Sequence, residues 1–340
     1  MTLDPHEQVM RLALGHVAAR AVHALAHFRI PDHVAAGSST AEELAKVTRT
    51  NEPSLLRLLR AATAMGLMTE DGEQRFALTE AGAALRSDAP RHAANVAAAM
   101  GGAAMWSAFG ELLHSVETGE PSLDKVGGPP PFGDMTAADA AGVSNTMLAF
   151  YGAEPAAIVE AYDFSGIRTL VDVGGSSGNL AATIVASNPQ MRGIVFDLPP
   201  VEAHARRLFA ERGLTERCEF AGGDFFETIP RGADAYLLSH VINDWPEEKG
   251  LLILRNIRNA APPHARLLLI EQVITSGRDS DQAKFLDLIS LTVTGGRHRT
   301  VEEHAALMAR AGFRLNRVIA TRQPVSILEA TPGETPPRQA

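Results

Sequence analysis

The feature that most constrains this chain is an alternation of short apolar runs and helical segments that begins near residue 153. The apolar runs are rich in Val, Leu and Ile, and they are TLVDVGG, GIVFDLP, CEFAGGDFF, ADAYLLSHV, ARLLLIEQV and PVSILEA. Amphipathic segments such as EAHARRLFAERG lie between them. Strands that alternate with helices form a parallel sheet with helices on both faces. We therefore expect an α/β domain from residue 153 onward.

A different pattern fills the first hundred residues. Apolar residues recur at helical spacing through HEQVMRLALGHVAARAVHALAHF, which predicts one helix. Ser39 or Thr40 can cap the next helix, and Asn51 can begin another. The segment MTEDGEQRFALT predicts a hairpin, because its Asp-Gly pair favours a tight turn. Helix, helix and hairpin in this order are typical of a winged helix.

Length and composition fit two domains with a connecting region and a tail. A chain of 340 residues with 45% apolar content can bury a substantial core and exceeds the usual size of one domain. The tail TPGETPPRQA is too poor in apolar residues to pack and is expected to be disordered. The predicted regions are a winged-helix dimerisation domain at 1–100, connecting helices at 101–152, the α/β domain at 153–330 and the tail at 331–340.

Charge and cysteine content exclude several classes of protein. A net charge of −9 argues against nucleic-acid binding, and the candidate recognition helix offers only Arg57 and Arg60 as basic residues. The single Cys218 excludes an internal disulfide and a Cys-based zinc site, and the scattered histidines suggest no other metal site. No signal peptide or membrane-spanning segment is apparent. We therefore expect a cytoplasmic protein that binds neither nucleic acid nor a membrane.

The stretch LVDVGGSSGN combines a buried strand, a glycine loop and the start of a helix. Gly174, Gly175 and Gly178 let the backbone approach a ligand, and the N–H groups at a helix start favour negative charge. Asp197 ends the next strand, where a carboxylate can bind ribose hydroxyls. NAD binding is the main competing interpretation of this loop, but the sequence shows no residues that would form a hydride-transfer site.

A second pair of residues supports a nucleoside site. Asp224 and Phe225 follow the third strand, where a carboxylate could meet an adenine amine and a ring could meet the adenine face. The alternative is that these are ordinary turn residues at strand ends. That alternative carries more weight for Asp224 alone than for the glycine loop, Asp197, Asp224 and Phe225 taken together.

Together these segments resemble a known family. DVGGSSGN, VFDLP, GGDFFETIP, LLSHVINDWPEEKGLLILRNI and TGGRHRT are similar to segments of the S-adenosylmethionine-dependent O-methyltransferases of the caffeate, hydroxyneurosporene and anthracycline group. The resemblance spans roughly residues 10–330. It implies a Rossmann-like seven-strand methyltransferase sheet, a homodimer formed through the N-terminal module, and a small aromatic or polyketide-like acceptor. Its cofactor would be S-adenosyl-L-methionine, released as S-adenosyl-L-homocysteine.

The resemblance also assigns residues to the cofactor and the acceptor. In that family, Ser176 stands where another glycine is usual. The positions implied for the cofactor are Asp172, Gly174, Gly175, Gly178, Asp197, Asp224, Phe225 and Ser239. The positions expected to line the acceptor pocket are Met105, Trp106, Phe109, Met147, Phe150 and Asp287. The Met and aromatic side chains among them have an alternative role as ordinary core residues.

The chain differs from the family at the residue that usually acts as the general base. Family members usually carry His-Asp-Trp where this sequence has Asn243-Asp244-Trp245, and an amide cannot accept a proton at physiological pH. One of the two supporting carboxylates of the family matches Glu271, and His298 replaces the other.

Three hypotheses follow from this departure. His298 could act as the base with Glu271 orienting it, or Asn243 could bind an acidic acceptor that reacts by proximity alone. The third hypothesis is a reaction other than methylation. His298 could instead be an exposed loop residue beside two arginines, and His240 is expected to support a strand end or contact the cofactor. A cofactor-sensing winged-helix regulator is the hypothesis from another functional class.

Overall fold

The computed structural model describes residues 4–91, 93–129, 132, 136–277 and 281–333. The chain divides into two compact units. The first comprises Met1–Trp106 and Asn145–Phe150, and the second comprises Ser107–Ser144 and Tyr151–Ala340. The division falls inside the connecting region predicted from the sequence. None of the helices in the described ranges is long and apolar enough to cross a membrane.

The first unit starts with two helices where the sequence pattern predicts one. The helices α1 (Pro5–Ala13) and α2 (Gly15–His27) are separated at Leu14, whose backbone N–H closes the last turn of α1. The prediction of a single helix is therefore wrong at this position. A short helix α3 (Ile30–Ala35) follows α2. Its preceding residue, Arg29, has a left-handed backbone conformation that turns the chain.

The predicted winged-helix elements are confirmed in order. Helix α4 (Ala41–Thr48) begins with a capping box, in which Thr40 and Glu43 exchange hydrogen bonds with each other's backbone N–H. Helix α5 (Glu52–Ala64) begins at Asn51, whose side chain accepts from the Ser54 N–H. The hairpin strands β1 (Met68–Glu70) and β2 (Phe76–Leu78) are antiparallel.

Among the described residues, seven helices lie between the hairpin and the sheet of the second unit. They are α6 (Glu80–Ala83), α7 (Ala93–Gly101), α8 (Ala103–Gly110), α9 (Leu112–Thr118), α10 (Ser122–Lys125), α11 (Ala137–Tyr151) and α12 (Glu154–Ala161).

The second unit contains a seven-stranded sheet with the order β5-β4-β3-β6-β7-β9-β8. The strands are β3 (Thr169–Val173), β4 (Arg192–Asp197), β5 (Cys218–Gly222), β6 (Ala235–Ser239), β7 (Arg266–Glu271), β8 (Phe313–Ala320) and β9 (Ser326–Pro332). The helices among them are α13 (Asn179–Ser187), α14 (Glu202–Glu211), α15 (Glu247–Ala260), α16 (Asp281–Val293) and α17 (Val301–Arg310). Short 3₁₀ turns lie at Pro199–Val201 and Ile242–Asp244.

The seven-strand sheet is confirmed, but it is mixed rather than all parallel. Strands β3 to β7 pair in parallel, whereas β9 is antiparallel to both β7 and β8. The sequence pattern did not predict β8, because its largely exposed FRLNRVIA lacks a continuous apolar run. Strand β9 ends at Pro332, so the tail begins later than the predicted residue 331; residues 334–340 lie outside the described residues.

Buried side chains pack on both faces of the sheet. Along β3, Leu170 belongs to one apolar cluster, whereas Val171 and Val173 belong to the cluster on the other face. This arrangement explains why the strand sequences are continuously apolar instead of alternating. Because neighbouring parallel strands end at the same edge, the residues that follow β3 to β7 converge there.

The exposed apolar face of the first two helices predicts self-association. Leu12 is 71% exposed and Val9 is 63% exposed, and Met10, Leu14 and Val17 are exposed as well. A Leu12→Glu substitution is expected to convert a dimer to a monomer, because an unpaired charge would be buried in the apolar interface. Sedimentation velocity measures this change. Val318→Glu, at an exposed apolar position on β8, is the control, and a Leu12→Glu protein that stays dimeric would contradict the prediction.

Candidate functional site

The loop between β3 and α13 can be built only with glycine at two positions. Gly174 and Gly178 have φ angles of 71° and 74°, in the left-handed region. A Cβ on Gly174 would lie 2.9 Å from Val241 Cγ2, and one on Gly178 would lie 2.7 Å from the Phe209 ring. The Gly174 N–H donates to the Phe196 carbonyl at 2.8 Å, which fixes the loop against the end of β4.

Asp197, at the end of β4, organises the same loop. One carboxylate oxygen accepts from the Ser176 N–H at 2.7 Å, and the other accepts from the Leu198 N–H at 2.7 Å. Burial raises the pKa of Asp197, and the two N–H donors oppose that rise. The carboxylate is thus held beside the glycine loop, where the sequence predicts a contact with ribose.

Asp172 is the buried acidic residue that precedes the loop. Its Oδ2 atom has no hydrogen-bond partner among the described residues. A Cβ on Gly175 would lie 2.7 Å from that atom, so only glycine fits beside the carboxylate at this position. Burial, followed by the charge of Asp197, raises the pKa of Asp172 to about 7. An unpaired buried acceptor of this kind favours a ligand that carries donors or positive charge.

Three more of the predicted cofactor residues follow or end neighbouring strands. Asp224 accepts from the Phe226 N–H at 2.8 Å, which shapes the turn after β5. The Phe225 ring packs edge-on against Phe226 and lies 3.6 Å from the Cβ position of Gly174, so it borders the glycine loop. Ser239 is the last residue of β6. The structure therefore brings the predicted cofactor residues to one edge of the sheet.

Asn243 and His298 form a buried hydrogen-bonded pair. The Asn243 Nδ2 atom lies 3.1 Å from His298 Nε2, and His298 Nδ1 lies 3.3 Å from the Gln272 carbonyl oxygen. An amide nitrogen only donates and a carbonyl oxygen only accepts. Both contacts are satisfied by the neutral imidazole with its proton on Nδ1. His298 is only 3% exposed, so the hypothesis of an exposed loop histidine is wrong.

The surroundings of His298 favour its neutral form. Burial lowers the pKa of His298 below its ordinary value, although the Gln272 carbonyl and the charge of Asp287 oppose this effect. Asp287 accepts from the backbone N–H of His298 at 2.7 Å and so positions the loop that carries the imidazole. This contact gives Asp287 a structural role that the sequence did not predict.

Glu271 does not orient His298 in this structure. Neither carboxylate oxygen of Glu271 has a hydrogen-bond partner among the described residues, and the neighbouring Gln272 carbonyl contacts the imidazole instead. Burial raises the pKa of Glu271 to about 7. Burial also raises the pKa of Asp244 to about 7, with a further contribution from the charge of Glu271.

His240 belongs to a separate buried contact. Its Nε2 atom lies 2.7 Å from Glu154 Oε2, and its ring stacks on Tyr151 with 3.7 Å between ring centroids. Burial alone would lower the pKa of His240, but the charges of Glu154, Glu271 and Asp244 outweigh it and raise that pKa. The prediction that His240 supports the strand end agrees with these contacts.

The residues expected to line the acceptor pocket are divided between the two units. Met105, Trp106, Met147 and Phe150 belong to the first unit, and Phe109 and Asp287 belong to the second. Within the first unit, the Arg20 guanidinium lies 4.7 Å from the centre of the Trp106 ring. The assignment of these residues to an acceptor remains a prediction.

Two participants in the site escaped the sequence analysis. Gln272 acts through its main-chain carbonyl, which carries no sequence signal. Glu154 resembles an ordinary acidic residue in the first turn of a helix, because Pro155 follows it. Its burial against His240 depends on tertiary packing, so the pair can be recognised only once the fold is known.

Comparison with known proteins gives a consistent result. An O-methyltransferase domain model matches residues 110–314, and an O-methyltransferase dimerisation domain model matches residues 10–88. The chain is 37% identical over 326 residues to phenazine O-methyltransferase PhzM from Lysobacter antibioticus, covering 95% of each chain. It is also 36% identical to aclacinomycin 10-hydroxylase RdmB from Streptomyces purpurascens, covering 92% of this chain and 87% of that protein.

A solved structure with bound ligands is similar as well. It is the O-methyltransferase NcsB1 from neocarzinostatin biosynthesis in complex with S-adenosylmethionine and 2-hydroxy-5-methyl naphthoic acid. The similarity has a TM-score of 0.83 at 33% identity and covers 93% of this chain and 96% of that one.

The residues at the sheet edge fit S-adenosyl-L-methionine. The glycine loop borders Asp197 and Phe225, and Asp172 offers an unpaired buried acceptor to a cationic ligand. Asp197 and Asp224 supply carboxylates beside the loop, and Phe225 supplies an aromatic face. Asp197 would hold the ribose, Phe225 and Asp224 the adenine, and Asp172 would face the methionine end.

Replacing Asp197 tests the ribose assignment. Asp197→Ala is expected to weaken the binding of S-adenosyl-L-homocysteine by about thirty- to a hundredfold, because a carboxylate that accepts two hydroxyl hydrogen bonds is lost. Titration calorimetry measures the affinity. Asp163→Ala, an exposed residue before β3 and so at the opposite edge of the sheet, is the control. Equal affinity in the Asp197→Ala and wild-type proteins would refute the assignment.

Proposed function

The chain belongs to the S-adenosylmethionine-dependent O-methyltransferase family, and on this premise we propose that it methylates a hydroxyl of a small aromatic or polyketide-like metabolite with His298 as proton acceptor. The observation that carries the proposal is the buried Asn243–His298 hydrogen bond. Together with the Gln272 contact it favours the tautomer in which Nε2 is the hydrogen-bond acceptor, a position that an acceptor hydroxyl could take in place of the Asn243 amide. The named acceptors of the relatives support an aromatic substrate, since PhzM is a phenazine O-methyltransferase.

Proton removal is the step that this chain's residues perform. S-adenosyl-L-methionine, when bound, would supply an electrophilic methyl group: the acceptor oxygen would bond to the methyl carbon in line as the carbon–sulfur bond breaks and S-adenosyl-L-homocysteine leaves. The acceptor hydroxyl donates its hydrogen bond to His298 Nε2 in place of the Asn243 amide. As the proton moves to Nε2, the Nδ1–H bond to the Gln272 carbonyl stabilises the imidazolium that forms.

Asn243 contributes orientation rather than basicity. Its Oδ1 atom has no hydrogen-bond partner among the described residues. In the neutral enzyme Nδ2 donates to His298; after proton transfer, a flip of the amide would present Oδ1 to the new Nε2–H. The rival mechanism, transfer by proximity alone, needs only an acidic acceptor held by Asn243.

Substitution of His298 separates these mechanisms. His298→Gln is expected to lower kcat by about 10²- to 10⁴-fold, the usual effect of removing a general base. Asn243→Ala is expected to cost less, because it removes only an orienting hydrogen bond. The measurement is turnover on one phenolic acceptor with saturating cofactor. Unchanged affinity for S-adenosyl-L-homocysteine is the control that shows the variant is folded. A His298→Gln enzyme within about threefold of wild type would refute His298 as the base.

The pH dependence follows from the lowered pKa of His298. The neutral base is active, and burial shifts its pKa below the ordinary value of about 6.5. The rate is therefore expected to rise with pH through an inflection below about 6.5 and to be constant from pH 7 to 8. The pH profile of kcat measures this. An inflection above 7 in wild type, or one that persists in His298→Gln, would assign the titration to another group.

A reaction other than methylation is the second candidate function. One relative with 36% identity is named a hydroxylase, so the family includes a chain whose named activity is not methylation. Product mass distinguishes the two, because methylation adds about 14 Da and hydroxylation about 16 Da. A product that keeps the acceptor's hydrogen count and gains an oxygen would refute methylation and support hydroxylation.

We also propose that the protein is a homodimer in the cytoplasm. The dimerisation-domain match and the exposed apolar residues of α1 and α2 support a homodimer. The buried unpaired Cys218 is compatible with the reducing cytoplasm that the composition predicts. A DNA-binding regulator is less well supported, because Arg60 of the candidate recognition helix pairs with Glu70. A gel-shift assay at low salt tests that alternative.

A further inference from the structure

Two residues at the cofactor edge of the sheet have strained backbones although they are not glycine. Ser176, in the loop after β3, has a φ of 50°, and His240, after β6, has a φ of 53°. The left-handed region is unfavourable for residues with a Cβ, and such strain persists where the surroundings impose it. The side chains of both residues contact the same helix, α11, or the turn that leaves it.

Ser176 connects Asp197 to α11. Its Oγ atom lies 2.8 Å from Ser144 Oγ, and Ser144 is only 3% exposed. Its backbone N–H donates to Asp197 Oδ2 at 2.7 Å. One residue therefore contacts both the carboxylate assigned to the ribose and the middle of α11.

The second contact fixes the end of the same helix. Tyr151, the last residue of α11, stacks on the His240 ring, and that ring is bonded to Glu154 at the start of α12. Ser144 and Tyr151 are seven residues apart, so they lie on one face of α11. Met147 falls between them, three residues after Ser144 and four before Tyr151, and shares that face. The resemblance assigns Met147 to the acceptor.

We propose that Ser176 is a positioning residue that couples occupation of the cofactor loop to the order of α11, through its hydroxyl contact with Ser144. The functional consequence of this coupling rests on the proposed function, because α11 carries residues assigned to the acceptor. When ribose hydroxyls engage Asp197, the Ser176 backbone is held more firmly, and its hydroxyl restrains Ser144.

Hydrogen–deuterium exchange of α11 tests the coupling without requiring methyl transfer. Exchange in peptides covering 137–151 is measured by mass spectrometry with and without saturating S-adenosyl-L-homocysteine. The variants are Ser176→Gly and Ser144→Ala. Glycine suits the left-handed backbone and keeps the N–H that Asp197 accepts, so its affinity for the homocysteine product should stay within about threefold of wild type. Asn145→Ala, at an exposed position on α11, is the matched control.

In wild type and Asn145→Ala, S-adenosyl-L-homocysteine is expected to slow exchange in α11 by about three- to tenfold, because a restraint comparable to one hydrogen bond makes helix opening less favourable. In Ser176→Gly and Ser144→Ala this response should disappear, and the double variant should match the single ones. Ser144→Thr keeps the hydroxyl and should keep the response. In steady-state assays the two coupling variants should raise the acceptor KM about three- to tenfold with little change in kcat.

Specific results would overturn the proposal. Equal ligand-dependent protection in wild type, Ser176→Gly and Ser144→Ala would show that the serine contact carries no coupling. Absence of protection in wild type with the ligand bound would do the same. Failure of wild type to bind the homocysteine product would instead overturn the cofactor assignment, and this inference with it. Coupling without any methylated product would refute the proposed function and leave the positioning role intact.

Discussion

The site depends on one constraint, the turn that takes the chain from β3 into α13. Glycine at positions 174 and 178 permits the turn. The Phe196 carbonyl accepts a hydrogen bond from the Gly174 N–H, and the Asp197 carboxylate accepts one from the Ser176 N–H. Because β3 and β4 are parallel, these contacts join two strand ends at the same edge. The positions of the remaining site residues follow from the strands β5, β6 and β7 that end beside them.

Burial sets the chemistry at this edge. Asp172, Asp244 and Glu271 are removed from water, and burial raises each pKa to about 7. His298 is affected in the opposite direction, since burial disfavours its charged form and lowers its pKa. The same loss of water therefore makes the carboxylates easier to protonate and keeps the imidazole in its neutral form at neutral pH. A positively charged ligand would favour the ionised carboxylates again, and a hydroxyl group could donate to the neutral imidazole.

Local patterns predicted the elements that form through local interactions. The helix cap at Thr40, the hairpin and the glycine loop all appear where the sequence placed them, although the hairpin loop spans residues 71–75 instead of a tight Asp-Gly turn. The break at Leu14 was missed, because helical spacing continues across it. Strand β8 was missed because it is largely exposed and pairs only with β9, so its sequence has no continuous apolar run.

The hydrogen-bonded pair of Asn243 and His298 could be predicted only in part. The replacement of His by Asn at 243 and the presence of His298 were visible in the sequence, but their hydrogen bond joins residues separated by 55 positions. The Gln272 carbonyl and the Ser144–Ser176 contact involve groups that any sequence contains, and only the packing of strands and helices selects them. One hypothesis had Glu271 orient His298, whereas the structure places the main-chain carbonyl of Gln272 against the imidazole.

The tautomer of His298 tests the central claim most directly. Nitrogen-15 NMR of protein labelled at histidine, with His298→Gln used to assign the resonance, reports the protonation of each ring nitrogen. The account predicts a neutral imidazole at pH 7 with its proton on Nδ1, and a pKa below about 6.5. A charged imidazole at pH 7, or a neutral ring with its proton on Nε2, would contradict it.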